Sequence, residues 1–227
     1  VNDTYLATTL GINITNVVSL AKSGDQLFIG CYYSGDAQDQ EDGFVNRLII
    51  VNAQSGALQT APKVFNGAVN NISIANGKVL LGGQFFSAGG KRKTNLAMVN
   101  LATKRVMDWG PIVHTNDPSL FASYGNEGIN TMATDSVTLY IGGDFGNVDN
   151  QVRTNLAAVD LSTGIPTSFS AQLSTSTYVK TILLNGDDLL VGGNFTSISS
   201  VSRNYLAALN KVTGAVGTWN PNPNQLV

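Results

Sequence analysis

At 227 residues with a formal net charge of −2, the chain carries charge on only 12% of its positions, about half the share usual in soluble domains. That balance excludes the basic footprint of a nucleic-acid binder, and no Lys/Arg run or apolar stretch is long enough to hold the chain on or in a bilayer. A single cysteine, Cys31, excludes an internal disulfide framework, and a single histidine, His114, excludes a metal site that needs several imidazoles.

The chain begins at Val1, as a processed form or an excised piece would. Residues 1–16 contain Tyr5-Leu6-Ala7, which echoes Tyr205-Leu206-Ala207 far downstream. This segment is therefore expected to be an N-terminal strand that closes a sheet array or completes a neighbouring unit, since open arrays expose sheet edges. Next comes a degenerate unit. Leu27–Tyr33 is an apolar run through Gly30-Cys31, and Leu48–Asn52 is a second run. A strand-borne Cys31 is expected to be a buried, inert thiol. Between the runs lies Ser34–Gly43, an acidic loop that the later units lack.

The next three units nearly repeat one another. Each has an apolar strand, then Gly-Gly-x-Phe, then ten residues, then Leu-Ala: Gly82-Gly83-Gln84-Phe85 with Leu96-Ala97, Gly142-Gly143-Asp144-Phe145 with Leu156-Ala157, and Gly192-Gly193-Asn194-Phe195 with Leu206-Ala207. From Gly30 through Gly82 and Gly142 to Gly192 the steps are 52, 60 and 50 residues. That period with strand-only content suits a four-stranded propeller blade. In the last unit, Val179–Leu184 is a first strand, Asn185-Gly186-Asp187 a hairpin turn, Leu189–Val191 a second strand and Tyr205–Leu209 a third after a loop. Lys211-Val212-Thr213-Gly214 then turns into an outer strand ending at Trp219, nine residues past Asn210, and the same step links Asn100 to Trp109 and Asp160 to Phe169. The paired glycines are expected where backbones approach or bulge, and the aromatics as packing anchors between blades. Helix is nowhere predicted.

The expected fold is thus all-β: a β-propeller of about four four-stranded blades, at 17–65, 69–111, 128–170 and 178–221. Four blades can close a ring, but the chain stops at Asn220-Pro221-Asn222-Pro223, where another repeat could begin, so part of a larger propeller is the alternative.

The stretch Leu189–Asn224 resembles the delta-60-type β-propeller repeat of large bacterial secreted and surface proteins, which is related to blades of fungal cortical landmark proteins of the Rax type. The resemblance covers Asn71–Asn224 well and the first unit poorly. It implies an extracellular or cell-surface display or adhesion module and carries over no catalytic residue.

In a repeat protein, function tends to sit where the repeats differ. The first departure is the acidic loop, where Asp36, Asp39, Glu41 and Asp42 are candidate oxygen ligands for calcium, although the spacing departs from the EF-hand pattern. A solvated acidic loop explains the same residues. The second is the connector 111–127, about ten residues longer than its counterparts. Its His114, Asn116, Asp117, Phe121 and Tyr124 could stack on a sugar and bond its hydroxyls, or contact a protein; the aromatics could equally fold back as a plug. Lys93, Arg153 and Arg203 recur three residues before each Leu-Ala pair, and that regularity points to a scaffold contact within each blade rather than to a cationic ring. Asn2, Asn13, Asn71 and Asn194 open N-x-[ST] sequons, glycan acceptors in a secreted eukaryotic protein.

Enzyme chemistry finds little support. There is no G-x-S-x-G elbow, and no helix follows the glycine pairs to cradle a nucleotide. The sequence therefore points to a non-enzymatic binding module that recognises a glycan or surface protein, with no cofactor beyond calcium. A non-binding spacer or assembly unit of a longer surface chain or fibre is the alternative, and a glycoside hydrolase built from carboxylates on different blades a remote third.

Overall fold

The computed structural model describes residues 16–32, 48–62, 64–65, 68–114, 128–173 and 177–224. Among these no helix forms. The chain opens with β1 (Asn16–Ser23), β2 (Gln26–Tyr32), β3 (Leu48–Asn52) and β4 (Leu58–Gln59), a sheet in the order β1-β2-β3-β4. It continues through β5 (Val64–Phe65), β6 (Ala68–Ala75), β7 (Lys78–Gln84), β8 (Ser87–Ala88), β9 (Lys91–Arg92) and β10 (Leu96–Asn100). The third unit holds β11 (Val113–His114), β12 (Gly128–Thr134), β13 (Thr138–Asp144), β14 (Asn147–Val148), β15 (Gln151–Val152) and β16 (Leu156–Asp160). The fourth holds β17 (Val179–Asn185), β18 (Asp188–Gly193), β19 (Ser197–Ile198), β20 (Val201–Ser202) and β21 (Leu206–Asn210).

Four antiparallel meanders result, with β6-β7-β10, β12-β13-β16 and β17-β18-β21 following the first sheet. Short aliphatic runs make the strands, and compact polar turns join them. The β12–β13 turn shows how: Asp135 Oδ1 accepts the N–H groups of Val137 and Thr138 at 2.9 and 2.8 Å, a side chain replacing backbone partners. After the third strand of each of the last three units the chain doubles back but pairs only once, at Val99–Val106, Val159–Pro166 and Leu209–Val216. The outer strand expected from the sequence is therefore a single bridge in the last three units, and Pro166 has no N–H to extend the ladder. A short outer edge also limits edge-to-edge association.

The first strand of each sheet bears a bulge at one register position, between Val17 and Ser19, Val69 and Asn71, Ile129 and Thr131, and Val179 and Thr181. These first strands pack in series, β1 on β6, β6 on β12 and β12 on β17. The core lies between the sheets. Phe28, Leu48 and Ile50 of the first sheet meet Val69, Leu81 and Phe85 of the second. Leu80, Met98 and Trp109 meet Ile129, Ile141 and Phe145 of the third. Tyr140, Leu156 and Phe169 meet Val179, Val191 and Phe195 of the fourth. The second and third sheets are thus buried on both faces, which is why their strands read as continuous apolar runs rather than as alternation. At about 1.5–3 kcal/mol for each buried large side chain, these three interfaces dominate the stability of the array.

Polar contacts lock the same interfaces. The bulge turns Asn70 and Asn130 toward the next sheet, where their Nδ2 atoms donate to the carbonyls of Ile129 at 3.1 Å and Val179 at 3.0 Å. In the first sheet Ser19 Oγ takes this part, donating to the Val69 carbonyl at 3.1 Å.

Candidate binding face

The first strand of each sheet begins, and the second ends, at one end of the array: Asn16 pairs with Tyr32, Ala68 with Gln84, and Gly128 with Asp144. At that end the glycine pairs make the closest approach. A Cβ on Gly143 would stand 2.0 Å from the Gly128 carbonyl oxygen, and one on Gly83 as near the Ala68 oxygen. Only hydrogen lets the two strands meet there. Phe85, Phe145 and Phe195 then drive inward and are buried.

The ten residues between Phe and Leu-Ala, expected as a plain loop, form small hairpins instead. β8 pairs with β9, β14 with β15 and β19 with β20. Two of these hairpins take a third strand from the incoming connector, β5 on β8 and β11 on β14. The hairpins are pinned by an asparagine that sequence reasoning missed. Asn95 and Asn155 are buried in the left-handed region, at φ 64° and 66°. Asn155 Oδ1 accepts the Phe145 N–H at 3.0 Å while its Nδ2 donates to the Thr177 carbonyl at 2.6 Å. Asn95 does the same with the Phe85 N–H at 3.2 Å and the Val113 carbonyl at 3.0 Å. The signal was present as Thr-Asn before each Leu-Ala in the second and third units, but the fourth unit has Asn204-Tyr205, which hides it.

Of the candidate residues, His114 is described and sits in β11, with its Nε2 3.1 Å from the Asp149 carbonyl. That places it on the β14–β15 hairpin. Asn116, Asp117, Phe121 and Tyr124 lie outside the described residues, as do Asp36, Asp39, Glu41 and Asp42, and the sequons at Asn2 and Asn13. Asn194 is exposed, whereas Asn71 is half-buried within β6. Cys31 is buried in β2. Among the described residues no group of three or more His, Cys, Asp or Glu gathers as a metal site would require.

The recurrent cations face their own sheets. Lys93 Nζ donates to the Trp109 carbonyl at 2.8 Å, Arg153 Nη2 to that of Thr167 at 3.0 Å and Arg203 Nη2 to that of Gly217 at 2.6 Å. Each cation thereby holds its hairpin against the outermost segment of its sheet. Nearby, burial pushes the Asp144 carboxyl above the ordinary carboxylate range.

No family model matches the chain, and no curated protein matches it. Solved structures do share its fold. The extracellular domain of BT4673 from B. thetaiotaomicron superposes with a TM-score of 0.55 at 16% identity, over 94% of this chain and 23% of that one. The computationally designed Ika4 protein gives 0.51 at 12% identity, over 83% of this chain and 92% of that chain. The computationally designed Ika8 protein gives 0.50 at 11% identity, over 88% of this chain and 60% of that chain. The chain is thus an all-β array of antiparallel sheets with propeller-like neighbours. It spans well under two thirds of the BT4673 domain and 60% of Ika8.

Proposed function

We propose that this chain is a run of about four propeller blades that serves as an extracellular or cell-surface binding module recognising a glycan or a protein through loops at one end of its sheets. One observation carries the reading. The two longest departures from the repeat leave and re-enter the sheets at the end that bears the three hairpins. The acidic segment runs from Tyr32 to Leu48, and the connector from His114 to Gly128. Variable, polar and aromatic chain is therefore anchored on one face of a rigid scaffold, the usual arrangement for recognition loops. In this reading His114, Asn116, Asp117, Phe121 and Tyr124 contact the ligand, and Asp36, Asp39, Glu41 and Asp42 hold a calcium ion that orders their loop. Affinity comes from several shallow contacts multiplied by valency. The extracellular setting rests on the delta-60 resemblance.

The test is a glycan-array and cell-surface binding screen with calcium and again with chelator. Binding that is lost in Asp39→Ala, Phe121→Ala or Tyr124→Ala supports the reading, and chelator sensitivity assigns the acidic loop to the metal. Silence in both conditions overturns it in favour of a non-binding assembly unit, a reading favoured by the uncovered outward face of the fourth sheet.

A further inference from the structure

We propose that the outward face of the fourth sheet is a docking surface for one further blade of this same repeat. The inference rests on the blade reading of the fold and is independent of the adhesion reading. Within the array, each sheet meets its successor through the same positions. Between the third and fourth sheets these are Tyr140, Leu156 and Phe169, and Phe169 is fully buried. The fourth sheet carries Leu190, Leu206 and Trp219 at the equivalent positions. Here Trp219 is 46% exposed, and Leu183, which pairs with Leu190 across β17 and β18, is 62% exposed.

The polar and main-chain parts of the interface are repeated as well. Lys180 occupies the bulge position from which Asn70 and Asn130 donate to the next sheet. Its side chain is exposed, and its ammonium can donate to a carbonyl in the same way. In the internal interface the Ser170 N–H, just after Phe169, donates to the Thr213 carbonyl of the fourth sheet at 3.1 Å. Gly214, at φ 82°, makes that approach possible, because a Cβ there would stand 2.4 Å from the Ser170 oxygen. Trp219-Asn220 offers the next such turn the same seat.

The occupant is argued from this continuity: the surface matches what a blade of this repeat presents at Val179, Val191 and Gly214. The first sheet of a second copy fits less well. Its receiving face is already covered at Ile29, Ile49 and Val51, which are 3–4% exposed, and stands open only along its first strand, at Val17 and Leu20.

The experiment extends the chain with a second copy of residues 128–173 placed directly after Val227. That placement reproduces the spacing between Phe169 and Tyr178 and adds no tryptophan. Trp109 is already buried, so acrylamide quenching of the exposed indole reports on Trp219. In the extended chain Trp219 emission is expected to shift to the blue and its quenching constant to fall several-fold, and Leu183→Lys in that chain should restore quenching. A second extension uses a copy of 178–224 with its own tryptophan changed to Phe. If neither extension protects Trp219, the face is not a blade-docking surface. Concentration-dependent dimerisation of the unextended chain with protection of Trp219 overturns the assignment too, in favour of a second copy. Amide exchange across β6, β12 and β17 of the unextended chain tests the blade reading separately.

Discussion

At Asn155 three requirements meet in one side chain: a left-handed backbone, an acceptor for the Phe145 N–H and a donor for the Thr177 carbonyl. Asparagine is among the few non-glycine residues that tolerate this backbone region. Asn155→Gly keeps the backbone freedom and removes both bonds, so about 2 kcal/mol of stability should be lost in a denaturant titration. The fourth unit allows the converse. Tyr205 holds φ 61° without supplying an acceptor to Phe195, and Tyr205→Asn is expected to raise the melting temperature. Carboxylates at this scale act with opposite signs. Hydrogen bonds from the Ser162 hydroxyl and from the Thr163 N–H and hydroxyl hold the exposed Asp160 carboxyl down to about 2. Its stabilising effect is therefore full above about pH 4 and is lost as pH falls toward 2. Asp160→Asn installs the residue found at 52, 100 and 210, and should flatten that acid limb while leaving stability at pH 7 little changed. Burial shifts Asp144 the other way, so its charged form disfavours the fold as pH rises above the ordinary carboxylate range. Asp144→Asn, which copies Asn194, should stabilise at pH 7 and not at pH 3; thermal melts at both values check the pair.

Among elements, the second strand of each unit decides most, because it must pass its first strand where the sheet is narrowest. Gly143→Ala places a methyl group 2.0 Å from the Gly128 oxygen, and Gly128 is itself crowded, its own Cβ position lying 2.5 Å from the Gly83 oxygen. Neither strand can yield without disturbing the neighbouring sheet, so a loss above about 3 kcal/mol is expected in equilibrium unfolding. The first sheet carries Cys31 at the corresponding position, and there Val17 on the facing strand is exposed rather than buried, unlike Ile129. The degeneracy of the first unit thus coincides with looser packing of its first strand. The hairpins after each Phe were not legible as strands because two-residue pairings leave no periodicity.

Across the whole molecule the sheets form a series in which each touches its neighbours, and stability is expected to be nearly a sum of sheet and interface terms. Phe169→Ala opens one interface: the ring is fully buried and stands edge-on to Tyr140 at 6.0 Å between centroids. It should cost about 3–5 kcal/mol. Amide exchange should accelerate in β17, β18 and β21 before β6 and β7, whereas uniform acceleration would mean that the array melts as one unit. The sequence alone determined the repeat, the all-β class, the interior aromatics and the glycine pairs, because each is a local demand restated in every unit. Only the tertiary structure decided that Asn95 and Asn155 bridge to the next connector, that Lys93, Arg153 and Arg203 each brace their own sheet, and that the face carrying Leu183 and Trp219 stands open. Those features depend on which sheet lies beside which, and residues far apart in the chain carry no local pattern for such contacts.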